Sequence, residues 1–557
     1  MLFAHGTTHI FMVPAVLRST LFELEAVSGT IARIQTHGEI AAVYMADGYA
    51  RAGARPGLCI AQSVGAMNLA AGLREAFLAH SPVIALSGGH FPSMRHRTAY
   101  QDVEDFSAYD CVTKWNARID DVTRIADMMC QAFRVATTGC PGPVHIEFRG
   151  NEAQIELDVA DIQVVTAPQF AAVPPYRPAA NSDAIERAAR LLERAHRPII
   201  LAGGGVVVSD ASHDVVQLAE RLSIPVACSL NGKSCIPAGN PLAVGVVGTY
   251  SRSCANMLMS EADLVLVIGS AMGGMTTHFW QLPLPGTPII QIDIDPEALG
   301  RNYPVSEAIL GDVRTAVRQL LEAVKLDDIG LRTQWLRRVG AATRSWYREF
   351  ESLLASEAVP VRPERICREL SRNLPDNALV VVDTGHSGMW MGGLYDQRSP
   401  GQSYIRSAGH LGWALPASIG AKCAQPDRPV FAFIGDSGFW FHIAEVETAV
   451  RWRINTVTII NNNHSGNQMR NGFLRPYGDK GPGNSAEMWQ LSKVNFAKIA
   501  EEMGALGIRV EHPDEIGPAL LTAMAASRPA VIDIVTDIDA MAPLAWKPPK
   551  VNAEISH

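Results

Sequence analysis

Short apolar runs, followed by turns often containing glycine and then by stretches of helix length, come in three successive groups along this chain and leave few folds open. The first group holds Leu58-Cys59-Ile60-Ala61, Pro82-Val83-Ile84-Ala85-Leu86-Ser87-Gly88-Gly89 and Pro143-Val144-His145-Ile146-Glu147-Phe148. The second holds Pro198-Ile199-Ile200-Leu201-Ala202 before Gly203-Gly204-Gly205, then Leu264-Val265-Leu266-Val267-Ile268 and Ile289-Ile290-Gln291-Ile292-Asp293. The third holds Leu379-Val380-Val381-Val382-Asp383, Val430-Phe431-Ala432-Phe433-Ile434, Thr456 to Ile460, and Ala530 to Val535. Strands without polar alternation must be covered on both faces, which means parallel sheets with helices on either side. The reading is therefore α/β, with three doubly wound parallel-sheet domains over residues 1–165, 182–330 and 360–540 and a tail over 541–557. An Ala- and Pro-rich linker, 164–181, and a charged helical stretch, 312–358, separate them. A length of 557 residues accommodates that number of domains. Ligands in such folds gather at the C-terminal edges of the strands.

Composition excludes several classes. The net charge of −8, without a basic run, argues against a nucleic-acid or anionic membrane surface. No run approaches the roughly 18 uninterrupted apolar residues of a membrane span, and Met1 to Gly6 lacks a signal-peptide pattern. Nine cysteines without CxxC spacing read as reduced thiols. The expectation is a cytoplasmic protein.

In the third group the apolar run to Ile434 enters Gly435-Asp436-Ser437-Gly438, and Asn463, last of Asn461-Asn462-Asn463, lies 27 residues after Asp436. One strand would deliver Asp436 to the sheet edge. A helix from about Phe441 to Trp452 would cross back, and a second strand would bring the asparagines beside it. A carboxylate and an amide oxygen are hard ligands suited to Mg²⁺ or Ca²⁺ with positions left for phosphate. The glycines let backbone N–H groups approach that phosphate. In the first group, Thr36-His37-Gly38-Glu39 precedes Ala41-Ala42-Val43-Tyr44-Met45-Ala46-Asp47-Gly48-Tyr49-Ala50-Arg51, spaced for a buried helix with Glu39 at its N-terminus. An isolated glutamate there merely favours the helix dipole. Gly203-Gly204-Gly205 lacks the full GxGxxG spacing and reads as a tight turn.

Together these segments resemble the thiamin-diphosphate (ThDP) enzymes, with acetolactate synthase large subunits as the nearest pattern and benzaldehyde lyase, oxalyl-CoA decarboxylase and 2-hydroxyacyl-CoA lyase as relatives. Ser63-Val64-Gly65-Ala66-Met67-Asn68, Ala99-Tyr100-Gln101-Asp102-Val103, Gly385-His386-Ser387 and Gly409-His410-Leu411-Gly412 match further family segments. The resemblance implies pyrimidine-binding, middle and diphosphate-binding domains in that order. It assigns Glu39 to N1′ of the aminopyrimidine, with Gly65 and Asn68 beside it, and Gln101 to the reacting centre. Gly409 accepts from the 4′-amino group, Leu411 wedges the cofactor into its V shape, and Gly385, His386 and Ser387 contact the diphosphate. Gly435, Asp436, Ser437, Gly438, Asn463, Ser465 and Gly466 form the Mg²⁺-diphosphate site, the metal being held by Asp436, Asn463 and the Ser465 carbonyl. His464 is a candidate proton shuttle, and His410 a second one. The implied chemistry is cleavage or formation of a C–C bond next to a carbonyl through a C2 carbanion and an enamine, acting on a 2-oxo acid or aldehyde. A homodimer or homotetramer with active sites at the subunit interface is implied too.

The match departs from acetolactate synthase in places. The arginines of the flavin-binding segment are missing from Gly269 to Met275, so FAD is not implied, and no tryptophan falls within 464–473. The alternative within the class is a 2-hydroxyacyl-CoA lyase or oxalyl-CoA-decarboxylase-like enzyme on an acyl-CoA substrate, with Lys233, Arg252 and Arg301 as phosphate partners; Arg95, Arg97 and Arg149 are further anion candidates. A non-catalytic ThDP-fold scaffold is the alternative outside it.

Overall fold

The computed structural model describes residues 1–26, 31–101, 103–164, 166–325, 329–474 and 484–547. The Pro-rich end of the tail, 548–557, lies outside the described residues. Three six-stranded parallel sheets with flanking helices form the architecture. The first contains β1 His9–Met12, β2 Ala32–Gln35, β3 Gly57–Ala61, β4 Val83–Gly88, β5 Trp115–Ile119 and β6 Val144–Phe148, in the order β2-β1-β3-β4-β6-β5. The second contains β7 Pro198–Ala202, β8 Val226–Cys228, β9 Ala243–Val246, β10 Leu264–Ile268, β11 Ile289–Asp293 and β12 Glu307–Leu310, ordered β12-β11-β10-β7-β8-β9. The third contains β13 Leu379–Val382, β14 Ser403–Arg406, β15 Val430–Gly435, β16 Val457–Asn462, β17 Leu506–Val510 and β18 Ala530–Val535, ordered β14-β13-β15-β16-β18-β17. Counted from its own first strand, the third sheet repeats the order of the first. The second sheet has the order of a dinucleotide-binding fold.

The chain divides into two compact units. Met1–Tyr176, Asn377–Ser387 and Ile405–Ile538 form one, and Arg177–Asp376, Gly388–Tyr404 and Asp539–His557 the other. In the first unit a continuous apolar core joins both of its sheets through two helices, Glu39–Gly53 and Ala414–Ala424. These helices touch backbone to backbone. A Cβ on Gly48 would lie 2.0 Å from the Ala417 carbonyl oxygen, and one on Gly420 would lie 1.8 Å from that of Met45. Asp47, fully buried, accepts from the Trp413 indole N–H at 2.8 Å, and the Arg51 guanidinium lies over the same ring. The Ala-Asp-Gly-Tyr-Ala-Arg run therefore builds this helix contact. Gly420→Ala should cost about 1–3 kcal/mol or more, since neither backbone has room to retreat. Thermal unfolding should show a lowered Tm for it and no lowering for Gly472→Ala, where among the described residues nothing stands within 4 Å of the new methyl.

Candidate active site

At the C-terminal edge of the third sheet, β15 ends at Gly435 and a helix, Asp436–His442, starts on the next residue. This corrects the single crossing helix expected over 441–452: the chain is helical from Asp436, and a second helix follows at Glu445–Arg451. N–H groups of a first helical turn need no intrahelical partner and favour an acid, so Gly435 and Gly438 do not delay the start as an interior reading suggests.

Asp436 is 3% exposed. Its two oxygens accept the N–H groups of Ser437 and Ser465, each at 2.9 Å. Burial pushes its pKa up to about 7 against the pull of those bonds. His464 adopts φ +56°, and this left-handed turn returns Ser465 to Asp436. Alternation along β16 sorts the asparagines. Asn462 donates to buried Asp533 at 2.8 Å, whereas Asn461, in register with Gly435, shares the opposite side with Asn463. Among the described residues, Asn461 Oδ1 and Ser465 Oγ are buried without a hydrogen-bond partner.

On the neighbouring strand's end, Gly385 takes φ +71°, and a Cβ there would lie 2.9 Å from Gln468 Oε1. His386 and Ser387 open the helix His386–Leu394, and Ser387 Oγ lies 3.4 Å from where a Gly435 Cβ would stand. Burial holds the His386 imidazole neutral, down at about 4. The Gly466 N–H donates to the Trp489 carbonyl at 2.7 Å, and Arg470 lies over the Trp489 ring. A tryptophan thus reaches this segment from downstream, although none occurs within it.

In the first sheet's half of the unit, Glu39 begins its helix behind Gly38, which offers no side-chain cap. Asn68 Nδ2 donates to Glu39 Oε2 at 2.9 Å. A Cβ on Gly65 would lie 2.5 Å from Glu39 Oε1, so only glycine leaves the carboxylate where it is. Glu39, Gly65 and Asn68 are therefore brought together. Gln101 sits at φ +61°, its amide oxygen accepting from Gln62 Nε2 at 3.1 Å and from Asn151 Nδ2 at 3.5 Å. With that oxygen engaged, the amide presents N–H donors. Asp102 lies outside the described residues.

The segment Ser407 to Trp413 carries Gly409 and Leu411, and two buried acids hold it. Glu75, on the helix Ala66–Leu78, accepts the N–H groups of Ala408, of Gly409 at 3.1 Å and of His410 at 3.0 Å. Asp383 accepts those of Gly412 at 3.1 Å and Ala414 at 3.0 Å, and burial pushes its pKa up to about 7. Tyr44 and His410 Nδ1 share a hydrogen bond of 2.7 Å, which occupies that ring nitrogen. Leu411 stays 37% exposed between the two anchors. Sequence reading passed over Glu75 and Asp383 as site residues. The available signal was a lone acid on the apolar face of Leu69, Ala70, Gly72, Leu73 and Ala76. Arg95 pairs with Asp120, and Arg149 donates to the Asp120 carbonyl and pairs with Asp158, so these two candidates serve local structure.

Three family models match the chain: the N-terminal TPP binding domain of thiamine pyrophosphate enzymes over residues 1–108, the central domain over 185–320 and the C-terminal TPP binding domain over 383–534. The probable acetolactate synthase large subunit of Methanocaldococcus jannaschii is 32% identical over 91% of this chain and 86% of its own length. That of Methanococcus aeolicus is 31% identical over 92% and 87%. The acetolactate synthase large subunit of Haemophilus influenzae is 28% identical over 96% and 92%. The chain belongs to the thiamine pyrophosphate enzymes of the acetolactate synthase superfamily.

The residues of this ThDP enzyme suit the cofactor. Among the described residues Asn461 Oδ1 and Ser465 Oγ have no hydrogen-bond partner and nothing stands within 4 Å of a Cβ at Gly409, and the buried Asp436 carboxylate suits a cation. Among the described residues no group of three or more His, Cys, Asp or Glu side chains forms a metal cluster. A cation at Asp436 would then rely on one carboxylate, neutral oxygens and the diphosphate itself. Among the described residues no helix is long and apolar enough to cross a membrane.

In the other unit, the triple glycine is not the tight turn expected: Gly203, in extended conformation, caps a short helix, Gly204–Val208, that starts directly after β7. Gly205 N–H donates to the Gly269 carbonyl at 3.0 Å, and a Cβ on Gly203 would lie 2.1 Å from that oxygen. Lys233 is buried and donates to the Gly392 carbonyl at 3.0 Å, and burial brings its pKa down to about 7. Arg252 is buried against Trp346 and Tyr347 and paired with Asp396. Two of the three basic groups considered for CoA phosphates are thus interior.

Proposed function

We propose that this ThDP enzyme is a carboligase of the acetolactate synthase type, acting on a 2-oxo acid donor and joining its residue to a second carbonyl compound. The observation that carries the reading is the meeting of Glu39, Gly65 and Asn68 in a chain similar to acetolactate synthase large subunits over nearly its full length. When bound, ThDP supplies a nucleophilic carbon and an electron sink for the bond that breaks. The first domain takes the pyrimidine and the third the diphosphate, with the second between them in the chain. Glu39, oriented by Asn68, exchanges a proton with N1′ of the pyrimidine. Asp436, Asn463 and the Ser465 carbonyl would hold Mg²⁺, while Gly385, His386, Ser387, Gly435, Ser437, Gly438 and Gly466 would line the diphosphate. Gln101 donates its amide N–H to the substrate carboxylate or carbonyl, and His464 relays protons at the metal side.

A second copy of this chain is proposed to complete the site. Glu39 is only partly buried in the single chain, and exposed Val64, Met67, Trp440, Phe441 and Leu411 leave apolar surface beside its machinery. A homodimer, or a tetramer of two dimers, acting in the cytoplasm fits that surface. The interior positions of Lys233 and Arg252 do not favour the acyl-CoA lyase reading.

The test is CO₂ release and ketol formation by purified protein across a panel of 2-oxo acids. Turnover requiring both ThDP and Mg²⁺ is expected. ThDP binding with silence across the panel, and turnover of a 2-hydroxyacyl-CoA, would replace this reading.

A further inference from the structure

Glu75 is a glutamate of no measurable exposure, placed in a helix with apolar neighbours and near two further acids, Asp47 and Asp383. Burial and the Asp47 charge both raise its pKa, and the N–H groups of Ala408 and His410, with Arg51, pull the other way. Such a placement is costly unless the carboxylate is well paired. Its partners are consecutive backbone donors: Ala408, Gly409 at 3.1 Å and His410 at 3.0 Å, with Ser407 Oγ at 3.4 Å. Only an ionised carboxylate accepts from that many donors at once, since a glutamine would turn an NH₂ toward some of them.

The same helix, Ala66–Leu78, carries Asn68, which touches Glu39. Asn68 and Glu75 are seven residues apart, two helical turns, and so lie along one face about 10 Å from each other. One rigid element therefore touches the acid assigned to N1′ of one site and holds the Gly409 segment, which belongs to the other site where two copies complete each pair.

We propose that Glu75 is a positioning residue for the aminopyrimidine half of ThDP. Its carboxylate gathers the 408–410 amides, which fixes the direction of the Gly409 carbonyl assigned to the 4′-amino group and the place of Leu411 after it. This rests on the reading of the site given above and adds to it a residue that touches neither substrate nor cofactor.

Glu75→Gln in the full-length protein tests it with two readouts besides turnover. The first is hydrogen–deuterium exchange of the 408–410 amides, with and without ThDP and Mg²⁺. The second is the circular-dichroism band of the imino tautomer of bound ThDP. Exchange at those amides should become about tenfold faster or more. The tautomer band should be lost, and kcat should fall further than affinity for ThDP, which the diphosphate half retains to within about threefold. Should Glu75→Gln not fold, Glu75→Asp withdraws the same charge by one methylene and should give the same signs at smaller size. Wild-type protein that binds ThDP, beside a variant keeping both amide protection and tautomer band, would overturn this proposal alone. Failure of both proteins to bind ThDP would overturn the site reading and this proposal with it.

Discussion

Glu39→Gln should lower kcat by about 10²–10⁴-fold while leaving ThDP affinity within about tenfold of wild type. The substitution keeps the size of the side chain and its hydrogen bond with Asn68, which the structure shows at 2.9 Å. It removes the ability to exchange a proton with the pyrimidine, the single contribution assigned to this residue. Stopped turnover with retained binding, measured by steady-state kinetics and by tryptophan quenching with ThDP, separates that role from a helix-capping one. Full activity in Glu39→Gln would remove the acid from the mechanism.

Asp436→Ala should instead lose Mg²⁺ and ThDP together, with affinity for each down at least about 100-fold, since even partners outside a metal's ligand set cost 10–100-fold. Asp436 is the one carboxylate in the proposed donor set, and it also ties the Ser465 N–H to the end of β15. Without it, Asn463 and the Ser465 carbonyl have neither charge nor a fixed separation. Calorimetric titration of ThDP in the presence of Mg²⁺ reads the effect. Unchanged affinity would place the metal elsewhere.

The fold was legible in the strands that lie inside the sheets and illegible at their rims. β3, β4, β6, β7, β10, β11, β13, β15, β16 and β18 were read from apolar runs, and most are buried along their whole length. The six edge strands β2, β5, β9, β12, β14 and β17 escaped notice, because one side faces solvent or a loop and their residues are mixed. β12, Glu307–Leu310, alternates buried and exposed over only four residues, and no run marks it. β1 and β8 were missed for brevity.

The site divides in the same way. Glu39, Asp436 and Asn463 stand in local motifs whose spacing carries meaning, so they were found. Glu75 and Asp383 act on the 408–414 amides from elements hundreds and tens of residues away in sequence, and no local pattern records that contact. Asn461 was part of a visible run, but only the strand's alternation separates it from Asn462, which is spent on Asp533.

The most direct test of the account is the exchange rate of the C2 proton of ThDP on the enzyme, measured by NMR after acid quench in D₂O. The account predicts exchange many orders of magnitude faster than in free ThDP for the wild-type protein, and near the free rate for Glu39→Gln with cofactor still bound. Wild-type exchange no faster than that of free ThDP, at saturating ThDP and Mg²⁺, would contradict it.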